Sequence, residues 1–229
     1  MSSGSDRRRG IAPQLPRGRH GLTRAFVVSN QRERIIDSLA QVCATRGYRA
    51  VSVEDIIAHA GVSRRTFYDL FSDKQQCFLL AYELVMDRVF AAVDQAYWAG
   101  ERAWPERMVS ALTTVLEQFA AEPVFARLVM VEVLAAGRPA LERRDAELKR
   151  FEVFFGPGRA ALPVPLAYQQ LLARAVVGGL SEALYTRILA GETQRLPEIG
   201  ADLVYCALVP YVGHDAAMAA SEALRGSPA

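Results

Sequence analysis

From Asn30 or Gln31 to Arg46, the apolar residues Ile35, Ile36, Leu39, Val42 and Cys43 recur at three- and four-residue intervals, the spacing of one helix face. Gly47 supplies the stop. A shorter helix follows from Val53 to about His59, with Val53, Ile56 and Ile57 on one side. Ser52 stands as its N-cap, and Asp55, three residues on, completes a capping box. Ala60-Gly61-Val62-Ser63 then reads as a tight turn in which Gly61 takes a positive φ and Ser63 caps the next helix. That third helix, Arg64 to Phe71, turns Phe67, Leu70 and Phe71 inward and leaves Arg64, Arg65, Tyr68 and part of Asp69 outside. Ser72-Asp73-Lys74-Gln75 is a second S-x-x-Q box. It opens a long fourth helix to about Ala99, with Phe78, Tyr82, Val85, Val89 and Val93 as its buried stripe.

The remaining chain repeats the helical pattern with breaks at Gly and Pro. Gly100 and Pro105 bracket one break; helices are predicted from Pro105 to Ala121, Val124 to Ala135 and Ala140 to Phe155, with Gly156-Pro157-Gly158 stopping the last. After Pro163 and Pro165 comes the longest apolar stretch, about Leu166 to Ala190, then Pro197 to Val212, then an Ala-rich turn or helix from Ala216 to Leu224. Strand alternation is almost absent and no internal repeat is visible, so the expected fold class is all-α.

Charge divides the chain where the pattern alone does not. Residues 1 to 75 carry 13 Lys and Arg against 7 Asp and Glu, a net of +6, whereas residues 76 to 229 carry 14 against 18, a net of −4. A basic N-terminal module facing a polyanion, joined to a mildly acidic module with a different task, fits this asymmetry. Residues 1 to 28, with Arg7, Arg8, Arg9, Arg17, Arg19 and Arg24 among Gly, Pro and Ser, are expected to form a flexible basic arm or a merely solvated tail. No run of eighteen uncharged apolar residues occurs, and the N-terminus lacks the apolar core of a signal peptide, so a cytoplasmic location away from the membrane is expected. Cys43, Cys77 and Cys206 lie far apart in apolar helical patterns, as small buried hydrophobes do. His20, His59 and His214 are equally isolated, so neither a metal site nor a cofactor is expected.

Two short helices joined by a glycine turn, the second with Arg64, Arg65 and Tyr68 outward, describe a helix-turn-helix. Its chemistry suits double-stranded DNA. A helix fits the major groove, Arg bonds guanine bidentately, and the hydroxyls of Ser63 and Thr66 reach phosphates or base edges. The N–H groups opening helices three and four attract phosphate oxygens, and Lys74 adds charge there.

The run from Ser52 to Lys74, SVEDIIAHAGVSRRTFYDLFSDK, with its A-G-V-S, T-F-Y, following F and S-D-K elements in order after a first helix ending in R-G-Y, resembles the DNA-binding motif of TetR/AcrR-type transcriptional regulators. The resemblance is strong over about residues 31 to 90; later helices match in number and order only. It implies a cytosolic homodimeric regulator with a three-helix DNA-binding domain at 29–75, a linking helix to about 99, and a helical effector-binding and dimerisation domain at 76–229. Ser63, Arg64, Arg65 and Thr66 match the groove-lining positions; Tyr68 and Lys74 match those that grip phosphates. Leu70 departs from the pattern, since many relatives carry Tyr or His there. Asp69, a carboxylate near phosphate, is expected to pair with Arg65. The full DNA-binding candidate set is Ser52, Ser63, Arg64, Arg65, Thr66, Tyr68, Lys74, Arg19 and Arg24.

A single recognition helix offers too few contacts for a specific site, so a dimer surface is expected from the late helices. By resemblance, Leu172, Val176, Gly178, Gly179, Leu203 and Ala207 are its candidates, the glycines allowing close approach; ordinary core is the competing reading. Gln118, Phe119, Arg127, Phe154, Tyr168 and Arg174 are candidates for the pocket of a largely apolar small-molecule effector. The leading reading is a ligand-responsive repressor that binds a palindromic operator. A small all-α enzyme is the alternative, though no nucleophile elbow, Walker A motif or paired-carboxylate spacing supports it. A helical lipid- or protein-interaction module is the third reading.

Overall fold

A computed structural model describes residues 24–226, with side chains from Val28 onward; Arg19 lies outside the described residues, as does the side chain of Arg24. These residues are helical, without a strand among them: α1 (Arg24–Arg46), α2 (Val53–Ala60), α3 (Arg64–Leu70), α4 (Lys74–Trp98), α5 (Trp104–Ala121), α6 (Pro123–Met130), α7 (Arg138–Phe151), α8 (Gly156–Ala160), α9 (Leu166–Leu189), α10 (Gly200–Val212) and α11 (His214–Gly226). They divide into two units at Ala81 and Tyr82, so α4 begins in the first and continues in the second.

The first unit is the expected three-helix module. Ile35, Ile36, Leu39, Val42 and Cys43 of α1 are buried, and Ile56, Phe67, Phe71, Cys77 and Phe78 close over them. Tyr48 meets Phe78 edge to face at 4.9 Å, and burial pushes its hydroxyl pKa up to about 12. Helix α1 starts at Arg24, several residues before the predicted Asn30, so the segment expected as an arm to residue 28 is helical in its last part. The box before α4 is shifted by one residue from the predicted one. Asp73 accepts from the Gln76 N–H at 2.7 Å, and Gln76 Oε1 accepts from the Ser72 N–H at 2.6 Å.

In the second unit the predicted helix ends shift where proline and glycine act differently from a simple stop. Gly156-Pro157-Gly158 opens the short α8, because proline at a first helical position lacks only an N–H that would be unpaired anyway. Gly158 lies under the Trp104 ring, and a Cβ there would fall 2.3 Å from a ring carbon. The indole N–H of Trp104 and the hydroxyl of Tyr97 both donate to the Phe154 carbonyl, at 2.9 and 3.1 Å. Helix α6 ends at Met130, and the predicted continuation to Ala135 becomes a 3₁₀ turn, Glu132–Ala135. The stripe of α4 is buried as expected through Tyr82, Val85, Val89 and Val93.

Candidate nucleic-acid interface

Helix α3 is seated by Phe67, which is fully buried, and by its neighbour Phe71. The connection from α2 is made by Gly61 at φ 62, ψ 38, the left-handed conformation that glycine adopts without a Cβ penalty. A partner that the sequence pattern does not predict fixes this turn: Arg34 of α1, buried, donates from Nη2 to the carbonyl of Ala60 and, at 3.4 Å, to that of Gly61. A buried guanidinium on the carbonyls ending α2 both satisfies them and suits the negative end of the helix dipole. The signal for it is an Arg falling within the apolar stripe of α1.

With the inner face so held, the outer face of α3 is open. The Arg65 side chain is 90% exposed and Tyr68 46%. Arg65 Nε stands 3.8 Å from Asp69 Oδ2 one turn on, the ion pair expected for that carboxylate. Arg64 is placed differently: Nη1 pairs with Glu54 of α2, and the guanidinium lies 5.6 Å from the Tyr68 ring centroid. Both arginines thus meet a carboxylate, but only Arg64 is tied across the turn to another helix.

The hydroxyls are partly committed. Ser63 Oγ accepts from the Thr66 N–H at 3.0 Å and lies 2.9 Å from Thr66 Oγ1, so the two hydroxyls share one hydrogen and leave one donor for an incoming oxygen. Ser52 is the cap of α2: Oγ accepts from the Asp55 N–H at 3.2 Å and donates to Asp55 Oδ2 at 2.7 Å. Its hydroxyl hydrogen is thereby used within the cap. Asp55 also accepts from the Ser52 N–H and from Arg46, and these hydrogen bonds hold its pKa down at about 2. Lys74 turns inward as well. Nζ donates to the carbonyls of Tyr48 and Val51 at 2.9 and 2.6 Å and sits 4.1 Å from the Tyr48 ring centroid, so its first role is to fasten the α1–α2 connection. Leu70 is half-buried and extends the seat of α3.

Of the pocket candidates, two line the apolar cavity of the second unit and four do not. Within the second unit, about 100 Å³ of space lies among side chains of α4, α5, α6, α7, α9 and the segment after α7, all apolar except Ser181, and Phe119 and Phe154 line it. Gln118 is exposed, as is Tyr168 at 66%. Arg127 pairs with buried Glu132 at 3.2 Å, and Arg174 pairs with Asp145. These four are absent from the lining of that cavity, and Arg174 instead borders a separate hollow with Lys149, Glu152 and Arg159.

The dimer candidates divide similarly. Leu203 and Ala207 are covered by their own chain at 7% and 0% exposure, and so are core rather than docking residues. Leu172, Val176 and Gly178 are half-buried and Gly179 is exposed; a Cβ at either glycine would meet nothing within 4 Å. Around them α9 leaves Tyr168, Leu171 and Leu189 exposed. Cys43 and Cys77 are buried as expected, whereas Cys206 is exposed on α10. No helix among the described residues is long and apolar enough to cross a membrane.

Residues 35–81 match the family model of bacterial regulatory proteins, tetR family. No curated protein matches the chain. Among solved structures, the fatty acid degradation regulator FadR of Bacillus halodurans is 20% identical with a TM-score of 0.66, over 78% of this chain and 94% of its own. A TetR-family transcriptional regulator from Syntrophomonas wolfei is 21% identical at a TM-score of 0.66, over 81% and 96%. FadR of Bacillus subtilis, solved with stearoyl-CoA, is 17% identical at a TM-score of 0.66, over 79% and 97%. At these identities the likeness is one of fold.

Proposed function

We propose that this chain, in which a tetR-family helix-turn-helix domain at residues 35–81 is joined to an all-helical second unit, is a transcriptional repressor that binds a palindromic operator as a homodimer and releases it when a largely apolar small molecule enters the second unit. The observation carrying the reading is the face of α3: two arginines, a shared Ser63–Thr66 donor and a half-exposed tyrosine on a helix whose opposite side is buried. Arg65 reads a base edge; Tyr68 and the remaining hydroxyl hold phosphates. The exposed side of α9, with Tyr168, Leu171, Gly178 and Gly179, is the surface that meets a second copy. The apolar cavity supports an effector site, and α4 links the two tasks, since Met86, Val89 and Val93 line the cavity on the helix that begins at Lys74. The FadR complex with stearoyl-CoA is a fold precedent for ligand binding.

Selecting bound fragments from a random DNA library with the full chain tests this directly. A recovered inverted repeat, bound with an affinity that falls steeply with salt yet stays well above that for random duplex, is the expected result. Recovery of no motif, with equal affinity for every duplex, would refute the operator claim. It would leave the enzyme or interaction-module alternatives.

A further inference from the structure

The separate hollow of the second unit shares no lining residue with the apolar cavity. It offers about 650 Å³ between the end of α7 and the turn after it, α8 and the first three turns of α9, within the range of about 300–1,000 Å³ over which proteins take up small molecules. Three cations, Lys149, Arg159 and Arg174, line it against one carboxylate, Glu152. That surplus runs against its surroundings, since residues 76 to 229 carry a net charge of −4. Arg174 is compensated where it stands, by Asp145 and, at 3.9 Å, by Glu152. The side chains of Lys149 and Arg159 form neither a hydrogen bond nor an ion pair among the described residues. Lys149 is exposed and suits the negative end of α7, which accounts for it without a ligand. Arg159 has no such account. It is half-buried, and a guanidinium partly withdrawn from water is costly without a counter-charge. Burial pushes the Tyr211 hydroxyl up to about 12 and Arg159 is close enough to draw it down, yet that hydroxyl has no hydrogen-bond partner among the described residues.

We propose that this hollow binds a small organic phosphate, its phosphate group between Lys149 and Arg159 and its apolar body against Val153, Ala167 and Leu171. Two cations without partners call for a group that carries two negative charges, and the guanidinium fork matches phosphate oxygens in pairs. A carboxylate would compensate only one of them. The floor asks for more than a free anion. Val153 and Leu171 line the hollow at 57% and 65% exposure, so an apolar body laid on them removes surface from water that inorganic phosphate would leave wet. This site goes beyond the effector reading above and does not rest on it. Leu171 also belongs to the face of α9 proposed to meet a second copy, so binding is measured on the chain in its own oligomeric state.

The probes are 1-naphthyl phosphate, inorganic phosphate and 1-naphthol, titrated calorimetrically into the full chain at about pH 8, where both phosphates are dianions. 1-Naphthyl phosphate should bind about tenfold or more tightly than either of the others, the factor that a hydrogen bond between charged groups supplies over the alcohol and that apolar cover supplies over the free anion. Arg159→Gln should lower its affinity about tenfold and leave 1-naphthol binding as it was, and Arg159→Lys should restore part of the loss. Lys149→Gln should cost less, because that ammonium is more exposed. Arg195→Gln removes an equal charge outside the hollow, from an exposed pair with Glu198, and should change nothing. Melting transitions close to the parent's show that each variant is folded. Failure of 1-naphthyl phosphate to bind, equal binding of it and either other probe, an unchanged affinity in Arg159→Gln, or the same loss in Arg195→Gln overturns the proposal. Affinity for duplex DNA is measured on the same variants. A fall in Arg159→Gln that matches its fall for 1-naphthyl phosphate would assign these cations to nucleic acid and overturn the small-molecule site; unchanged DNA binding supports it. Failure to recover an operator removes the regulator reading and leaves the phosphate result standing by itself.

Discussion

Arg65→Ala separates a base-reading side chain from one that merely decorates a solvated helix. Among the described residues Arg65 is held only by Asp69, at 3.8 Å, with the two side chains 90% and 68% exposed. An exposed pair one turn apart is worth about 0.2–0.5 kcal/mol, so releasing the guanidinium to DNA costs little. A bidentate contact to guanine contributes about 1–3 kcal/mol, and its loss should weaken operator binding by about 5- to 150-fold. Arg64→Ala should cost less, because Arg64 is already engaged by Glu54 and lies over Tyr68. Asp69→Asn should tighten binding slightly, by freeing Arg65 and removing a carboxylate from the phosphate side. The assay is fluorescence anisotropy on the selected operator at fixed salt, repeated with the recovered base pair changed beneath each arginine. Neither exposed arginine carries the fold, so the melting transitions of all three variants should match the parent within about 0.5 kcal/mol. Equal affinity of parent and Arg65→Ala, on operator and mutated operator alike, would refute the assignment of α3 as the reading element.

Four further outcomes follow from the geometry. Ser52→Ala should destabilise the chain by about 0.5–2 kcal/mol in denaturant unfolding, as is usual when a cap is removed, without altering the salt dependence of DNA binding. Asp55 is ordinarily near 3.8 and is held at about 2 in the folded chain, so its contribution is complete above the unfolded value and is lost as pH falls from about 4 to 2; melts of the parent and Asp55→Asn should converge over that window. Gly158→Val should force the Trp104 ring from its place, seen as a changed tryptophan emission and a lowered melting temperature, since even a Cβ would lie 2.3 Å from that ring. Leu171→Asp, at a position 65% exposed, should convert a dimer to monomer in analytical ultracentrifugation without unfolding it; an unchanged dimer would move the seam off this face of α9.

What the sequence makes legible is what short-range periodicity encodes. The stripes of α1 and α4, the Ser52 box, the Gly61 turn and the outward face of α3 all follow from residues within a turn or two of one another. Partners from distant segments are not legible. Arg34 on the carbonyls of Ala60 and Gly61 and Lys74 on those of Tyr48 and Val51 join positions more than twenty residues apart. Nothing in the local pattern distinguishes a lysine that grips DNA from one that fastens a loop. The same limit governs the late helices. Leu203 and Leu171 are both apolar in helical runs, yet one is 7% and the other 65% exposed, because which side of an apolar helix its own chain covers depends on packing that period alone does not encode.

A consequence for recognition lies in the charge of the reading hairpin itself. From Ser52 to Lys74 the chain carries Glu54, Asp55, Asp69 and Asp73 against Arg64, Arg65 and Lys74, so the segment resembling a DNA reader is slightly acidic. Two of those carboxylates hold the exposed arginines, and Lys74 is turned to backbone carbonyls. Non-specific attraction to phosphate must then come from outside the hairpin, and residues 1 to 23 hold five arginines. Deleting them should lower affinity for operator and random duplex by similar factors and reduce the slope of log affinity against log salt by about 0.9 for each phosphate that is no longer neutralised. Preference for the operator should survive, since the side chains that reach the bases remain. If the deletion instead abolished that preference while non-specific binding persisted, sequence reading would have to be assigned to the arm rather than to Arg65.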